Sequence, residues 1–600
     1  MSCEGKTPDP AAQKTASAKN KFMRWLPEIL LFGAGSLFRL EYLREFAQFP
    51  HFYYTIGADI AEYTARANEI LAGKLMPETL SIHAPLYPLC MAAVWLFTGE
   101  SALVLRIVQI LLNLAAWFVI FLTAGKYRIP KKIRYLFLGA AMFAPGLIYH
   151  QAELISESLL IPLLAISFLL FYRYDKSKKR VFLLLSGAAA ALTVLTHGLM
   201  LSFVCGISLA LFIRRKAVTA WCFTAAVAAV LLGATAVNSI YYKQLSGIQG
   251  NSAFNIFLGN NPRSTGGCYL RPYKEWRDFH KAIEVEAKQK NISENQLYWQ
   301  KVIDFHRNDP AALLKLTGKK FLMLFAPWEI PAGADPGAFV LLTPIQNFTR
   351  FIPFILLGLT LTGIVVLVRK RELLKKYLFI LLPTAALAAA LVLTVVSGRY
   401  RIGMMPGIFL LSAIGFCNLK RIYIVVLTIL AAAAAIFLHP GKTLPHEAAS
   451  ITAEVLMKQK QYDEAEKLII FAMQALDDPS RFNNMLGNIA ELRGDFKRAE
   501  KEYRAALAAE NDQFITYLNL GQLLFRDRSR RIESCRLLRA SLHLNPAQSA
   551  AWNFLGIDNF ENKRIAEAAA CFANAHRFNP GNPGYKRNFE ICQKLLQAQK

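Results

Sequence analysis

The sequence has no CxxC pair and no Cys/His spacing of the kind that holds zinc. Its nine cysteines are scattered singly and argue neither for a metal centre nor for a disulfide framework. Acidic residues are scarce, 42 Asp and Glu against 69 Lys and Arg, which leaves a formal charge of +27. No single basic patch matches that excess. Lys and Arg sit in short clusters between apolar runs, a pattern that argues against nucleic acid as the reason for the charge. The chain also lacks duplicated halves with paired, interrupted apolar segments, which argues against a secondary transporter.

What the chain does have is apolar length. Of its 600 residues 54% are hydrophobic and the mean hydropathy is +0.29, and many runs approach the roughly 20 residues that a helix needs to cross a bilayer. The expectation is an all-α, polytopic membrane protein. Residues 1–24 read as a polar cytoplasmic tail, and Trp25 to Tyr42 as an uncleaved first span. Further spans are expected at 101–123, 134–150, 156–172, 181–197, 199–213, 217–240, 348–368, 375–397, 403–419 and 422–438, about eleven in all. Basic clusters (Lys126 to Arg134, Arg173 to Arg180, Arg214 to Lys216, Arg369 to Lys376, Lys420 and Arg421) fall at every second connection, as they do when those connections are cytoplasmic. Residues 43–100, 241–347 and everything after about 439 are then outward. Over 181–213 a re-entrant hairpin or a single span is the alternative, and losing one span would flip the carboxyl-terminal part. Segment 241–347 reads as a cap over an outward cavity, with a helical run from about Glu275 to Phe305.

After His439-Pro440-Gly441 the composition becomes charged and Ala-rich. Ala472, Ala506, Ala540 and Ala575 recur at intervals of 34 or 35 residues, as do Gly487, Gly521 and Gly556. This resembles the tetratricopeptide repeat, a helical solenoid of stacked pairs. About four pairs are expected over 447–595, with Ala465, Ala499 and Ala568 opening second helices. The third unit departs from the pattern, with Glu533 in place of a small residue and one residue inserted near Arg526 to Arg531. Such a unit implies protein partners.

The outward stretch Gly57 to Gly73 carries Asp59, Glu62, Tyr63 and Arg66 at spacings of three and four, one face of a helix. A carboxylate that a membrane protein has no structural need for marks a functional candidate, against the plainer reading of an amphipathic helix on the bilayer. Burial at the interface is expected to raise the proton affinity of Asp59, as suits a base. Its structural alternatives are a helix cap or an ion pair with Arg66. Glu153 and Glu157 would share a face of a continuing helix, with pairing to Arg106 or His150 as the structural alternative.

In order along the chain, Asp59-x-x-x-Tyr63, His83-x-Pro85-Leu-Tyr87-Pro88, Arg106, Ser156-Glu157, Gly259-Asn-Asn-Pro262 and Arg399-Tyr-Arg401 with Pro406 resemble the membrane-embedded C superfamily of glycosyltransferases. The resemblance covers roughly residues 26–438, nearest the protein mannosyltransferases and the aminoarabinose transferase of lipid A (glycosyltransferase family 39). It implies inverting transfer of a sugar from a polyprenyl-phosphate donor to an acceptor on the outer face of a bacterial inner membrane. Asp59 is the implied base, with Glu62 as substitute. Glu157 would orient the acceptor or help bind a divalent cation, with Glu153 beside it. Arg399 and Arg401, pointing the same way from an extended turn, would grip the lipid phosphate, with Arg106 as a further cation; the alternative for the pair is snorkelling to headgroups. His83 stands where relatives place a cation and departs from the pattern. Tyr63 fits packing better than catalysis. Competing functions are a lipid-linked glycan ligase or polymerase, and a non-enzymatic scaffold recruiting proteins through its repeats.

Overall fold

The computed structural model describes residues 10–47, 58–78, 80–214, 217–267, 282–326, 330, 345, 352–418 and most of 450–598. It divides into two units, Met1–His439 and Pro440–Lys600. Both are built of helices, and the described residues pair in one isolated parallel bridge, Gly267 with Val396.

Among the described residues of the first unit, six helices are long and apolar enough to cross a membrane: Ala102–Lys126, Ser156–Ser177, Ala217–Tyr242, Ile352–Arg369, Arg371–Leu393 and Arg399–Asn418. That is fewer than the eleven expected, for identifiable reasons. The segment 134–150 is two helices, Lys131–Phe143 and Pro145–Ala152, because Pro145 pushes Ala144 out of the helical region to φ −67, ψ 116. Arg180–Val194 and Met200–Arg214 have 15 residues each, short of a full crossing. Residues 25–42 lie inside the 37-residue helix Pro10–Phe46 and carry Glu28, Arg39 and Glu41. The expected span at 422–438 lies outside the described residues.

Arg39 shows how a charge is accommodated in that first helix. It is fully buried and donates to the carbonyls of Gly35, Ala141 and Met142 and to Gln151 Oε1. It thereby satisfies the carbonyls exposed where the helix stops before Pro145. Small residues set the closest packing. A Cβ on Gly363 would lie 2.1 Å from the Leu411 carbonyl oxygen, and one on Gly415 2.2 Å from that of Leu359, so these two helices approach backbone to backbone.

In the cap, residues 268–281 lie outside the described residues. The run expected to reach Phe305 unbroken is interrupted at Asn291, which takes φ 52. A new helix, Glu294–Asn308, starts on the capping box of Ser293 with Gln296, and another, Pro310–Leu324, follows on the cap of Asp309.

The second unit is a stack of helical hairpins: Tyr462–Leu476, Pro479–Leu492, Phe496–Ala509, Phe514–Phe525, Arg531–Leu544, Ser549–Glu561, Ile565–Phe578 and Pro583–Ala598. Ala465, Ala499 and Ala568 are fully buried, and so are Ala506 and Ala575. The inserted residue forms a one-turn 3-10 helix, Arg528–Arg530, which shifts the register by one. Ser534 and Ser541, both fully buried, therefore take the small positions, not Glu533 and Ala540. Their hydroxyls donate to the carbonyls of Gly521 and Phe514. Glu533 is left at the surface, where it pairs with Arg504 and Arg530.

The recurrent glycines face large side chains of the next helix. A Cβ on Gly556 would lie 2.6 Å from the ring of Phe572, which is 3% exposed. Gly to Ala inside a helix gains about 0.5–1 kcal/mol in propensity, whereas overpacking a filled site costs about 1–3 kcal/mol. Gly556→Ala is therefore expected to lower the unfolding temperature of the repeat unit, measured by thermal unfolding in detergent; Gly494→Ala is not a fair control, since Gly494 has φ 82, but Gly233→Ala, with open space around it, should not.

Candidate functional site

The helix Ala58–Leu71 carries Asp59 in its first turn. Its apolar face, Ile60, Tyr63 and Ala67, packs on Tyr87, Met91 and Trp95, which sets the direction of the polar face. Arg66 does not pair with Asp59. It donates to the carbonyls of Lys74 and Leu75, closing the helix's carboxyl end. The following loop is held by Tyr242 Oη donating to the Pro77 carbonyl, by Gly250 N to Ser81 O, and by Leu86 N to Leu195 O. His83 is presented from that loop.

Two further segments arrive from far along the chain. After Pro145–Ala152 the backbone does not continue as helix. Glu153 (ψ 150) and Ile155 (φ −125, ψ 153) are extended, and Ser156–Leu159 is a 3-10 turn. Glu153 and Glu157 therefore share no face. Glu153 takes the structural alternative, 3.2 Å from His150 Nδ1 and accepting from Tyr149 Oη at 2.5 Å. Arg106 Nε donates to the Ala152 carbonyl at 2.7 Å, and the guanidinium lies over the Phe46 ring. Glu157 is buried and faces the other way.

Arg399 arrives after the helix Arg371–Leu393, and the approach to it is pinned by the cap. Lys320, fully buried, donates to Gly259 O and Thr394 O at 3.0 Å and to Asn260 Oδ1 at 3.1 Å. Burial pushes its ammonium down to about 8. Asn260 Nδ2 donates to Leu393 O, Val396 N to Gly266 O and Gly398 N to Ile330 O. Residues 399–404 then form a 3-10 turn, not the extended turn expected, and this sends the two arginines apart. Arg401 Nη1 donates to the Ala326 carbonyl at 2.6 Å and lines an apolar cavity of about 400 Å³ with Leu324, Thr384, Met404 and others. Arg399 alone enters the polar cluster.

There Arg399 bridges two carboxylates, with Nη1 2.5 Å from Asp59 Oδ2 and Nε 3.4 Å from Glu157 Oε1. His83 Nε2 lies 3.4 Å from Asp59 Oδ1 and 3.3 Å from Glu62 Oε2. His197 Nε2 lies 3.7 Å from Glu157 Oε1, and its ring packs on Tyr400. Ser156 donates to Glu157 Oε2 and accepts from Tyr63 Oη, whose ring packs on His83 and Tyr87. Asp59, Glu62, Tyr63, His83, Glu157 and Arg399 thus form one site. Arg106, Glu153 and Arg401 are tied elsewhere. His197 is the member that sequence reasoning missed; its one signal was a lone imidazole at an outward turn. Among the described residues no group of three or more His, Cys, Asp or Glu is placed to hold a metal ion.

The electrostatics reverse one expectation. Burial by itself raises the proton affinity of Asp59, but Arg399 and His83 outweigh it and hold the carboxyl well below the usual range. Burial disfavours the imidazolium of His83, yet Asp59 and Glu62 raise it above its ordinary value. The signs define a window. The Asp59 contribution is present above the ordinary carboxyl range and is lost as pH falls through the depressed folded value. The His83 contribution is complete below about 6.5 and is lost as pH rises through the raised folded value.

No protein-family model matches the chain, and no curated protein does. Among solved structures, the crystal structure of the APC/C hetero-tetramer Cut9-Hcn1 aligns over 84% of this chain and 98% of that chain at 14% identity. The TM-score is 0.24, too low to carry any argument about this protein.

Asp59→Asn removes one of the two charges that raise the proton affinity of His83, Glu62 being the other. The imidazole is expected to titrate at lower pH in the variant, read by NMR of histidine-labelled protein. An unchanged titration would place the source of the shift in Glu62.

Proposed function

We propose that this protein is an integral membrane glycosyltransferase that moves a sugar from a polyprenyl-phosphate donor to an acceptor hydroxyl. The observation that carries the reading is the Asp59–Arg399–Glu157 bridge; two residues along the same turn, Arg401 lines a separate apolar cavity. A carboxylate to take a proton, a guanidinium to hold a phosphate and an apolar slot for a lipid chain are the three parts the transfer needs.

The geometry also supports an order of events. With Arg399 on Asp59, the carboxylate is a weak base. The donor phosphate competes for the same guanidinium, and once Arg399 turns to it, Asp59 loses one of the two partners that lower its proton affinity, His83 being the other, and that affinity rises. The acceptor oxygen then attacks the anomeric carbon, its proton passes to Asp59, and the bond to the phosphate oxygen breaks with the electron pair leaving on the lipid phosphate. Attack opposite the leaving group inverts the anomeric carbon. His197 and Ser156 hold Glu157, which orients the acceptor. His83 and Glu62 hold the Asp59 carboxylate in place.

The site draws on the ends of its helices opposite the basic clusters. By the positive-inside rule it faces outward, in this reading the periplasmic side of a bacterial inner membrane. The repeat unit supplies the surface for protein partners. Asn519 Nδ2 donates to Asn484 and Asn488, and Asn588 Nδ2 to Asn553, a row of side-chain amides with the donors and acceptors that an extended peptide needs.

The test is incubation of purified protein with a panel of polyprenyl-phosphate sugars and membrane extract, followed by mass spectrometry of the acceptor fraction. Asp59→Asn should cut turnover by about 10²–10⁴-fold while leaving donor binding intact. Arg399→Lys keeps the charge but loses the planar fork, and should weaken donor binding by roughly tenfold to a hundredfold. Near-normal turnover in Asp59→Asn would remove the reading.

A further inference from the structure

A second cavity lies at the other end of the same helices. The helix that starts at Glu157 and the helix that ends before Arg399 both run from the carboxylate site to a chamber of about 290 Å³ lined by Phe168, Phe171, Phe223 and Phe379, with Tyr127, Arg214 and Lys376 also in its wall. At 1.5 Å per residue, the stretch from Glu157 to Ser167, the first residue of that helix in the wall, spans about 15 Å. The chamber is therefore separate from the site described above.

Its chemistry selects an occupant. Three of the polar side chains in its wall are already satisfied: Ser167 and Ser186 donate to each other's carbonyls at 2.9 and 2.8 Å, and Tyr127 Oη donates to Asp175 at 3.0 Å. A water would find few of the two to four partners it needs, so the chamber is suited to hydrocarbon. Its volume is about twice the ~150 Å³ apolar cavity that admits benzene, which is room for a segment of one acyl chain. Two cations stand in its wall. Arg214 and Lys376 are exposed, and among the described residues neither has a carboxylate within 4.0 Å. The nearby acids are spoken for, Asp175 by Tyr127 and Lys178, and Glu372 by Lys375. Arg214 closes the helix Met200–Arg214 and Lys376 lies in the second turn of Arg371–Leu393, so both cations stand where the apolar segments give way to the basic connections, at headgroup depth.

We propose that this chamber binds an anionic glycerophospholipid from the leaflet at the basic end of the bundle, with one acyl chain between the phenylalanines and the phosphate on Arg214 and Lys376. The site is independent of the transfer reaction proposed above. Charge complementarity decides for an anionic headgroup, since a choline or ethanolamine group would bring a cation to two cations.

Native mass spectrometry of the full-length protein, loaded in detergent with equimolar phosphatidylglycerol and phosphatidylcholine of identical chains, tests it. The expected result is one phosphatidylglycerol retained under activation that strips the remaining lipid. A cation near a membrane surface is worth about fivefold in affinity, so Arg214→Gln with Lys376→Gln should lower the preference roughly 25-fold. Ala124→Phe, which fills the chamber from the helix Ala102–Lys126, should abolish retention of either lipid there. Should Ala124→Phe lower the unfolding temperature, the Gln pair, confined to exposed residues, still decides. Equal retention of the two lipids, or a preference unchanged by the Gln pair, would overturn the proposal.

Discussion

The cluster depends on one guanidinium. Arg399 bridges Asp59 and Glu157, two carboxylates that come from segments almost a hundred residues apart and that could not be buried together without a cation between them. Removing Arg399 would leave Asp59 with His83 and Glu157 with His197 as their remaining partners and would weaken the depression of the Asp59 carboxyl. The pins around it follow from this. Lys320, Asn260, Gly266 and Ile330 fix the backbone just before Arg399, and the turn at 399–404 then decides that it enters the cluster while Arg401 does not.

Function and topology are coupled through the same helices. Each long helix that contributes to the carboxylate site at one end reaches the basic connections at the other, so a single set of elements carries a polar cluster of mixed charge and an apolar chamber with two cations in its wall. The two ends differ in how charge is handled. At the carboxylate end it is paired within the fold; at the basic end it is left exposed.

Much of this was legible from residues alone. Periodicity put Asp59, Glu62, Tyr63 and Arg66 on one helix face; the first three meet His83, Tyr63 from the apolar side of the helix, while Arg66 turns to the helix's carboxyl end. The repeat intervals announced the stacked hairpins, because each pair must present small residues to its neighbour at a constant spacing. Misreadings arose where one residue changes a local geometry. Pro145 split an apolar run, the extended turn at Glu153 to Ile155 parted two glutamates, and one inserted residue moved the buried small position from Glu533 to Ser534. Apolar length alone could not say how many runs are complete spans, since it is blind to such breaks.

Composition and pattern by themselves determined that the chain is helical, that much of it is apolar enough for a bilayer, that its basic clusters alternate with apolar runs and that its last part is a repeat. These are properties of neighbours along the chain, and periodicity records them directly. Only the tertiary structure decided which charges meet. The proton affinity of Asp59 is set by Arg399, 340 positions away, and that of His83 by Asp59 and Glu62 across a loop. Burial alone pointed toward a raised carboxyl; the opposite result came from partners at distances of 2.5 and 3.4 Å, which are fixed by folding and leave no trace in the spacing of the residues.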